Sequence, residues 1–158
     1  MQPTETQFID VGRGAASRRI ATLVDAPSAA PAIAPAGLVW LPGFKSEMTS
    51  LKATALATYA ARNGLGMTRF DYSGHGRSGG AFEEGTIGRW LEEAVAVFAG
   101  LTRGPQVVVG SSMGGYIALL LQRALAATAP EHAARLGALV LIAPAWDMTE
   151  RLMWPRMT

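Results

Sequence analysis

Residues 106–127 run without a linker from a continuous apolar, β-branched stretch, Gln106-Val107-Val108-Val109, through Gly110-Ser111-Ser112-Met113-Gly114, into an almost wholly apolar stretch of helical length. Nothing else in the chain constrains its fold as tightly. A segment apolar at every position belongs to a strand buried on both faces, the situation of a central strand in a parallel sheet. A buried helix starting directly at its end leaves space only for a sharp strand-to-helix turn, with small residues where backbone approaches backbone. Ser112 stands at the tip of that turn.

The rest of the chain supplies elements to match. Residues 7–11 and 18–24 read as a hairpin joined by Gly12-Arg13-Gly14, and residues 26–36, with three prolines among alanines, as a connecting loop. Residues 38–41 are a buried strand ended by Pro42-Gly43. The spacing of Met48, Leu51, Ala55 and Tyr59 predicts a helix over 48–62, stopped by Asn63-Gly64. A strand over 67–72 leads to a Gly-rich loop, 73–85. Ile87, Trp90, Leu91, Ala94, Val95 and Phe98 then fall on one helical stripe, with Thr86 as N-cap and Glu92 and Glu93 facing water. Residues 137–143 read as one more buried strand. The alternation predicts an α/β architecture: a mostly parallel sheet of about six strands with helices on both faces, in a single domain over 1–158.

Composition narrows the function classes. Only 16% of residues are charged and the formal net charge is +2, so no basic footprint for nucleic acid is expected. The absence of cysteine excludes a disulfide framework, a thiolate nucleophile and a cysteine-ligated zinc site. Two isolated histidines, His75 and His132, and scattered carboxylates form no ligand set, so neither a metal nor an organic cofactor is implied. Gly74, Gly76, Gly79 and Gly80 lack the lysine and the following helix of a phosphate-cradling loop. The longest apolar runs fall far below the roughly 18 residues of a membrane span, and residues 1–10 hold no apolar core of signal-peptide type. The expectation is a soluble, cytoplasmic protein whose partner is a small molecule.

A serine on such a turn is placed to act as a nucleophile. The pattern G-x-S-x-G occurs twice, however, because Gly76-Arg77-Ser78-Gly79-Gly80 matches it too. Ser78 lies inside the Gly-rich loop, whereas Ser112 has a strand behind it and a helix ahead. The Met113 N–H then sits at a helix N-terminus, where free amides and the helix dipole favour a developing oxyanion. The Phe44 N–H, in the turn at 42–45, is the candidate second donor. Plainer readings stand beside these: Ser111-Ser112 as a helix cap, and Pro42-Gly43 as an ordinary turn.

Leu41-Pro42-Gly43-Phe44, Phe70-Asp71-Tyr72-Ser73-Gly74-His75-Gly76-Arg77-Ser78 and Val109-Gly110-Ser111-Ser112-Met113-Gly114-Gly115 together resemble the α/β-hydrolase superfamily. Residues 70–78, Thr86-Ile87-Gly88-Arg89-Trp90 and residues 110–116 are similar, more narrowly, to its mitochondrial palmitoyl-protein thioesterase and acyl-glucuronide esterase branch and the bacterial relatives of that branch. The resemblance implies a serine hydrolase of carboxylic esters or thioesters, working through an acyl-Ser112 intermediate whose oxyanion is held by the Phe44 and Met113 amides. It also implies an acid after the seventh strand and a histidine after the eighth, which are expected beyond Thr158, in a fold truncated before its last strands. Trp146, Met148, Leu152, Met153 and Trp154 resemble the start of a cap over 144–158.

Within the chain, substitutes for the acid and histidine are few. His75 lies between loop glycines. His132 follows the far end of the helix that starts at Ser112, more than about 20 Å away at about 1.5 Å per residue. Asp147, after the sixth strand, is the candidate acid, and Asp71 is expected to bond amides of its own turn. A serine with no base in reach is a poor nucleophile. A competing reading is therefore a non-catalytic fragment or binding module that retains the fold without the triad histidine.

Overall fold

The computed structural model describes residues 4–27 and 37–147. Strand β1 (Gln7–Val11) pairs antiparallel with β2 (Arg18–Asp25), across a short 3-10 turn at Gly14–Ala16. After β3 (Gly37–Leu41) the chain alternates: α1 (Leu51–Arg62), β4 (Gly66–Phe70), α2 (Ile87–Leu101), β5 (Gln106–Ser111), α3 (Met113–Thr128), the short α4 (Pro130–Ala133) and β6 (Leu136–Ile142). The six strands form one sheet in the order β1-β2-β4-β3-β5-β6. β3 to β6 run parallel to one another and β2 alone is reversed, pairing antiparallel with both β1 and β4, so the sheet is mostly parallel, as the sequence predicts.

Side-chain alternation on the central strands explains why they are mostly apolar. Leu38, Trp40, Met67 and Val109 face α1, against Ala53 and Ala60. Val39, Leu41, Phe70 and Val108 face the other way, into a cluster with Trp90, Val97 and Phe98 of α2 and Ile117, Leu121 and Leu125 of α3. Both faces are covered, so apolar residues are favoured in either register, and the buried exceptions on β4 are Thr68 and Arg69, the latter paired with Asp25. Thr86 caps α2 as expected, its hydroxyl accepting from the Arg89 amide.

Topology also says where a site belongs. From β3 the chain crosses through α1 to β4 on one side, then through α2 to β5 on the other. The winding direction reverses between β3 and β5, and in open α/β sheets ligands bind in the crevice at the strand C-termini where this happens. Leu41 and Gly110 are register partners there, so residues 42–45 and Ser112 emerge side by side.

Three expectations need correction. Helix α1 starts at Leu51, and its presumed apolar stripe faces outward: Leu51 is 86% and Tyr59 57% exposed, while Ala53 and Ala60 are buried. Small side chains let α1 lie close to the sheet, and Met48 is buried in the turn before the helix, its amide held by the Asp71 carboxylate. Glu93, expected in water, is fully buried and paired with Arg18, while Glu92 stays partly exposed. β6 is not a buried strand: Val140 is 46% and Ile142 38% exposed, because it lies at the edge of the sheet with β5 as its sole strand neighbour among the described residues. The expectations for residues 28–36 and for the part of the cap at 148–158 lie outside the described residues.

Candidate active site

β5 ends at Ser111 and α3 begins at Met113, so the whole reversal falls on Ser112. Its backbone sits at φ 53°, ψ −119°, a left-handed conformation that L-residues with a Cβ avoid. Surrounding bonds impose it. The Ser112 N–H donates to the Ile142 carbonyl at 2.9 Å, and its carbonyl accepts from the amides of Gly115 at 2.9 Å and Ala145 at 3.0 Å. A Cβ at Gly114 would run into the carbonyls of Leu41 and Pro42, and one at Gly110 into the carbonyl of Gly114. The two glycines of the motif are thus a packing requirement of the turn. Ser112 makes no side-chain bond to the helix it precedes, which sets aside the reading of it as a mere cap.

Residues 42–45 lie against this turn: a Cβ on Gly43 would be 3.4 Å from the Ser112 Cβ. The Gly43 carbonyl accepts from the Ser46 amide at 3.1 Å, and the Lys45 amide donates to His75 Nε2 at 3.1 Å. Among the described residues, the Phe44 and Met113 amides donate to no protein acceptor. The Met113 N–H follows Ser112 at a helix N-terminus, and the Phe44 N–H follows Gly43, which lies against Ser112. The Phe44 ring stands half-exposed against Phe82 and Trp90, with centroids 5.2 and 6.2 Å away.

The other sequence candidates have different employment. Ser78 Oγ donates to the Asp71 carbonyl at 2.6 Å and accepts from the Ala21 amide at 2.8 Å, fastening the Gly-rich loop to β2. Asp71 accepts from the Arg77 amide of its own turn, as expected, and also from that of Met48. Burial pushes the Asp71 carboxyl above its ordinary value, opposed by these two amide bonds. His75 is buried, with Nδ1 3.1 Å from the Ser73 carbonyl. An amide N–H can only donate, so Nε2 holds the lone pair toward Lys45 and Nδ1 carries the proton toward Ser73. His132 lies on α4, beside Arg135 at 3.0 Å. Neither ring serves Ser112. Asp147 is half-buried two residues past Ala145, whose amide holds the Ser112 carbonyl.

Sequence reasoning missed a buried polar group behind the loop. Glu93 accepts from Arg18 Nε at 2.7 Å and from the Ser73 amide at 2.9 Å, and the Ser73 carbonyl also accepts from Trp90 Nε1 at 3.2 Å. Tyr72 is fully buried beside it, and burial pushes its phenol well above the ordinary value, with the Glu93 charge adding to the effect. The signal was available: 90, 93, 94, 97 and 98 are spaced as one helix face, which places Glu93 with the buried residues. Among the described residues, no group of three or more His, Asp or Glu side chains could hold a metal ion, and no helix is long and apolar enough to cross a membrane.

Comparison with known proteins extends this picture. The profile of the hydrolase family described as serine aminopeptidase, S33, matches residues 34–158. A bovine protein named palmitoyl-protein thioesterase ABHD10, mitochondrial, is 41% identical over 81 residues, 51% of this chain and 26% of that protein. The crystal structure of an Agrobacterium vitis S4 protein described as a hydrolase superposes with a TM-score of 0.87 at 47% identity, covering 98% of this chain and 57% of that one. Mouse α/β-hydrolase domain-containing protein 10 superposes at 0.72 and 29% identity, covering 91% and 53%. The chain thus spans little more than half the length of these structural relatives. The α/β-hydrolase fold is established, in the extent that the sequence resemblance implied. The cytoplasmic expectation is overturned, because the curated relatives are mitochondrial proteins. It rested on the lack of long apolar runs, and organellar targeting segments are amphipathic and arginine-rich, so that lack has no bearing on them.

Proposed function

Because the chain belongs to the serine aminopeptidase S33 family of α/β-hydrolases, we propose that it carries the nucleophile and oxyanion hole of a serine hydrolase acting on carboxylic esters or thioesters. The observation that carries this reading is the Ser112 backbone, held at φ 53°, ψ −119° between a buried strand and a buried helix with two free amides beside it. A capping or structural serine needs no such strain. The relatives named palmitoyl-protein thioesterase favour an acyl ester or thioester over a peptide as substrate.

In this mechanism Ser112 Oγ attacks the acyl carbonyl while a base takes its proton. The Phe44 and Met113 N–H groups receive the negative oxygen of the tetrahedral intermediate. Its collapse breaks the bond to the alkoxide or thiolate, which leaves with the proton, and water then hydrolyses the acyl-Ser112 ester by the same steps. His75 and His132 are both engaged elsewhere, so the base comes from outside residues 1–158. Asp147, on the segment that braces the elbow, is the candidate to orient that base. That engagement of both histidines also favours a second reading for the 158 residues by themselves: they keep the fold and bind acyl groups without turnover.

The test uses the product of the complete reading frame and p-nitrophenyl butyrate. Ser112→Ala is expected to lower kcat/KM by about 10,000-fold or more, as removal of a triad nucleophile does. Hydrolysis surviving that substitution refutes the assignment.

A further inference from the structure

His75 belongs to none of the roles above, yet it is among the most elaborately held side chains in the molecule. It is 5% exposed, and the rings of Phe82, Trp90, Tyr72 and Phe44 surround it with centroids 5.2, 5.3, 6.2 and 6.4 Å away. Four aromatic rings pack around the imidazole. Its two nitrogens join two distant loops: Nδ1–H donates to the Ser73 carbonyl, and Nε2 accepts from the Lys45 amide, each at 3.1 Å. Ser73 is itself anchored, its amide on the buried Glu93 carboxylate and its carbonyl shared with Trp90 Nε1.

Lys45 needs such a partner. It is a non-glycine residue at φ 55°, a strained conformation that local sequence does not favour. The peptide planes on either side of Phe44 are then fixed separately. The Ser46 amide grips the Gly43 carbonyl, and in a trans peptide the Phe44 N–H points opposite to that carbonyl. His75 grips the next plane through the Lys45 amide. With that amide occupied, the Phe44 N–H is left as the free donor of the turn.

We propose that His75 is a positioning residue: its Nε2 clamps the Lys45 amide to the Ser73 loop and thereby holds the Phe44 N–H at the angle an oxyanion requires. The inference rests on the oxyanion role given to Phe44 above. A histidine is suited to the task because one rigid ring both accepts from Lys45 and donates to Ser73, bridging two backbones with no flexible bonds between.

The two ring nitrogens can be tested separately. In His75→Gln the side-chain oxygen reaches the place of Nε2 and can still accept from Lys45. In His75→Asn the amide nitrogen takes the place of Nδ1, so the Ser73 bond survives and the Lys45 bond is lost. His75→Phe keeps the packing and loses both. All three are made in the product of the complete reading frame, with p-nitrophenyl butyrate as substrate and hydrogen exchange of the Lys45 amide followed by NMR. Misplacing an oxyanion donor lowers kcat by about 10- to 100-fold. His75→Asn and His75→Phe are expected to show that loss with KM little changed, and His75→Gln to restore most of kcat. Lys45 exchange is expected to be fast in the Asn and Phe variants and protected in Gln.

Equal kcat in the Gln and Asn variants, or equal Lys45 exchange in both, overturns the proposal. If His75→Phe fails to fold, the Gln and Asn pair still decides. Should Ser112→Ala leave hydrolysis intact, the nucleophile assignment fails on its own, and Lys45 exchange alone then decides whether His75 holds the loop.

Discussion

Ser112 pairs function with strain, and the two separate by substitution. The left-handed backbone at φ 53°, ψ −119° costs a non-glycine residue about 1–3 kcal/mol. Glycine adopts it freely but orders a more flexible unfolded chain, at a cost of about 0.5–1 kcal/mol relative to alanine. Ser112→Ala removes the hydroxyl and keeps the strain, whereas Ser112→Gly removes both. The backbone bonds of Ser112 to Ile142, Gly115 and Ala145 are available to either. Ser112→Gly is therefore expected to be more stable than Ser112→Ala by about 1 kcal/mol, worth about 2–4 °C in Tm for a protein of this size. Urea unfolding followed by tryptophan fluorescence reads the difference directly. Equal stability, or a less stable glycine variant, would show that the elbow stores no strain and that its geometry is not imposed on Ser112.

Two further outcomes follow from the packing. Asp71 has its carboxyl raised by burial, so the folded protein binds its proton more tightly than the unfolded chain and its contribution to stability falls as pH rises from the ordinary carboxylate value through the raised one. The unfolding free energy of wild type minus that of Asp71→Asn should therefore fall as pH rises across that window in urea titrations at stepped pH, and a rise would contradict the shift. The half-exposed Val140 on edge strand β6 should promote association of the 158-residue chain, which Val140→Lys should reduce in light scattering. Unchanged association would clear the edge of blame.

The fold was legible wherever burial on two faces forced an unambiguous pattern. β5 was found from its first residue and to within two of its last, and α3 to within one, because 107–109 are apolar, 113–127 are apolar but for Gln122 and Arg123, and the motif between them admits one geometry. α1 was found with its face misjudged, since alanine is a weak marker of burial and the larger Leu51 and Tyr59 misled. Ser112, Phe44 and Met113 were nominated as a group; Ser112 directly precedes Met113 at the start of α3, and Gly43, next to Phe44, lies against Ser112. The burial of Glu93 was legible from its place on the buried face of α2, but its partners and those of His75 were not. Each depends on partners 20 to 75 positions away, Ser73 and Arg18 for one and Lys45, at 30 positions, for the other. Pairings of that range follow from the sheet order and leave no local periodicity to read.

The central claim, that Ser112 is the activated nucleophile, is tested most directly by a fluorophosphonate reagent and peptide mass mapping of the product of the complete reading frame. The account predicts one phosphonyl adduct, on the peptide containing Ser112, and none in Ser112→Ala. An adduct on Ser78, Ser111 or any other residue, or ester hydrolysis persisting with Ser112 unlabelled, would contradict it.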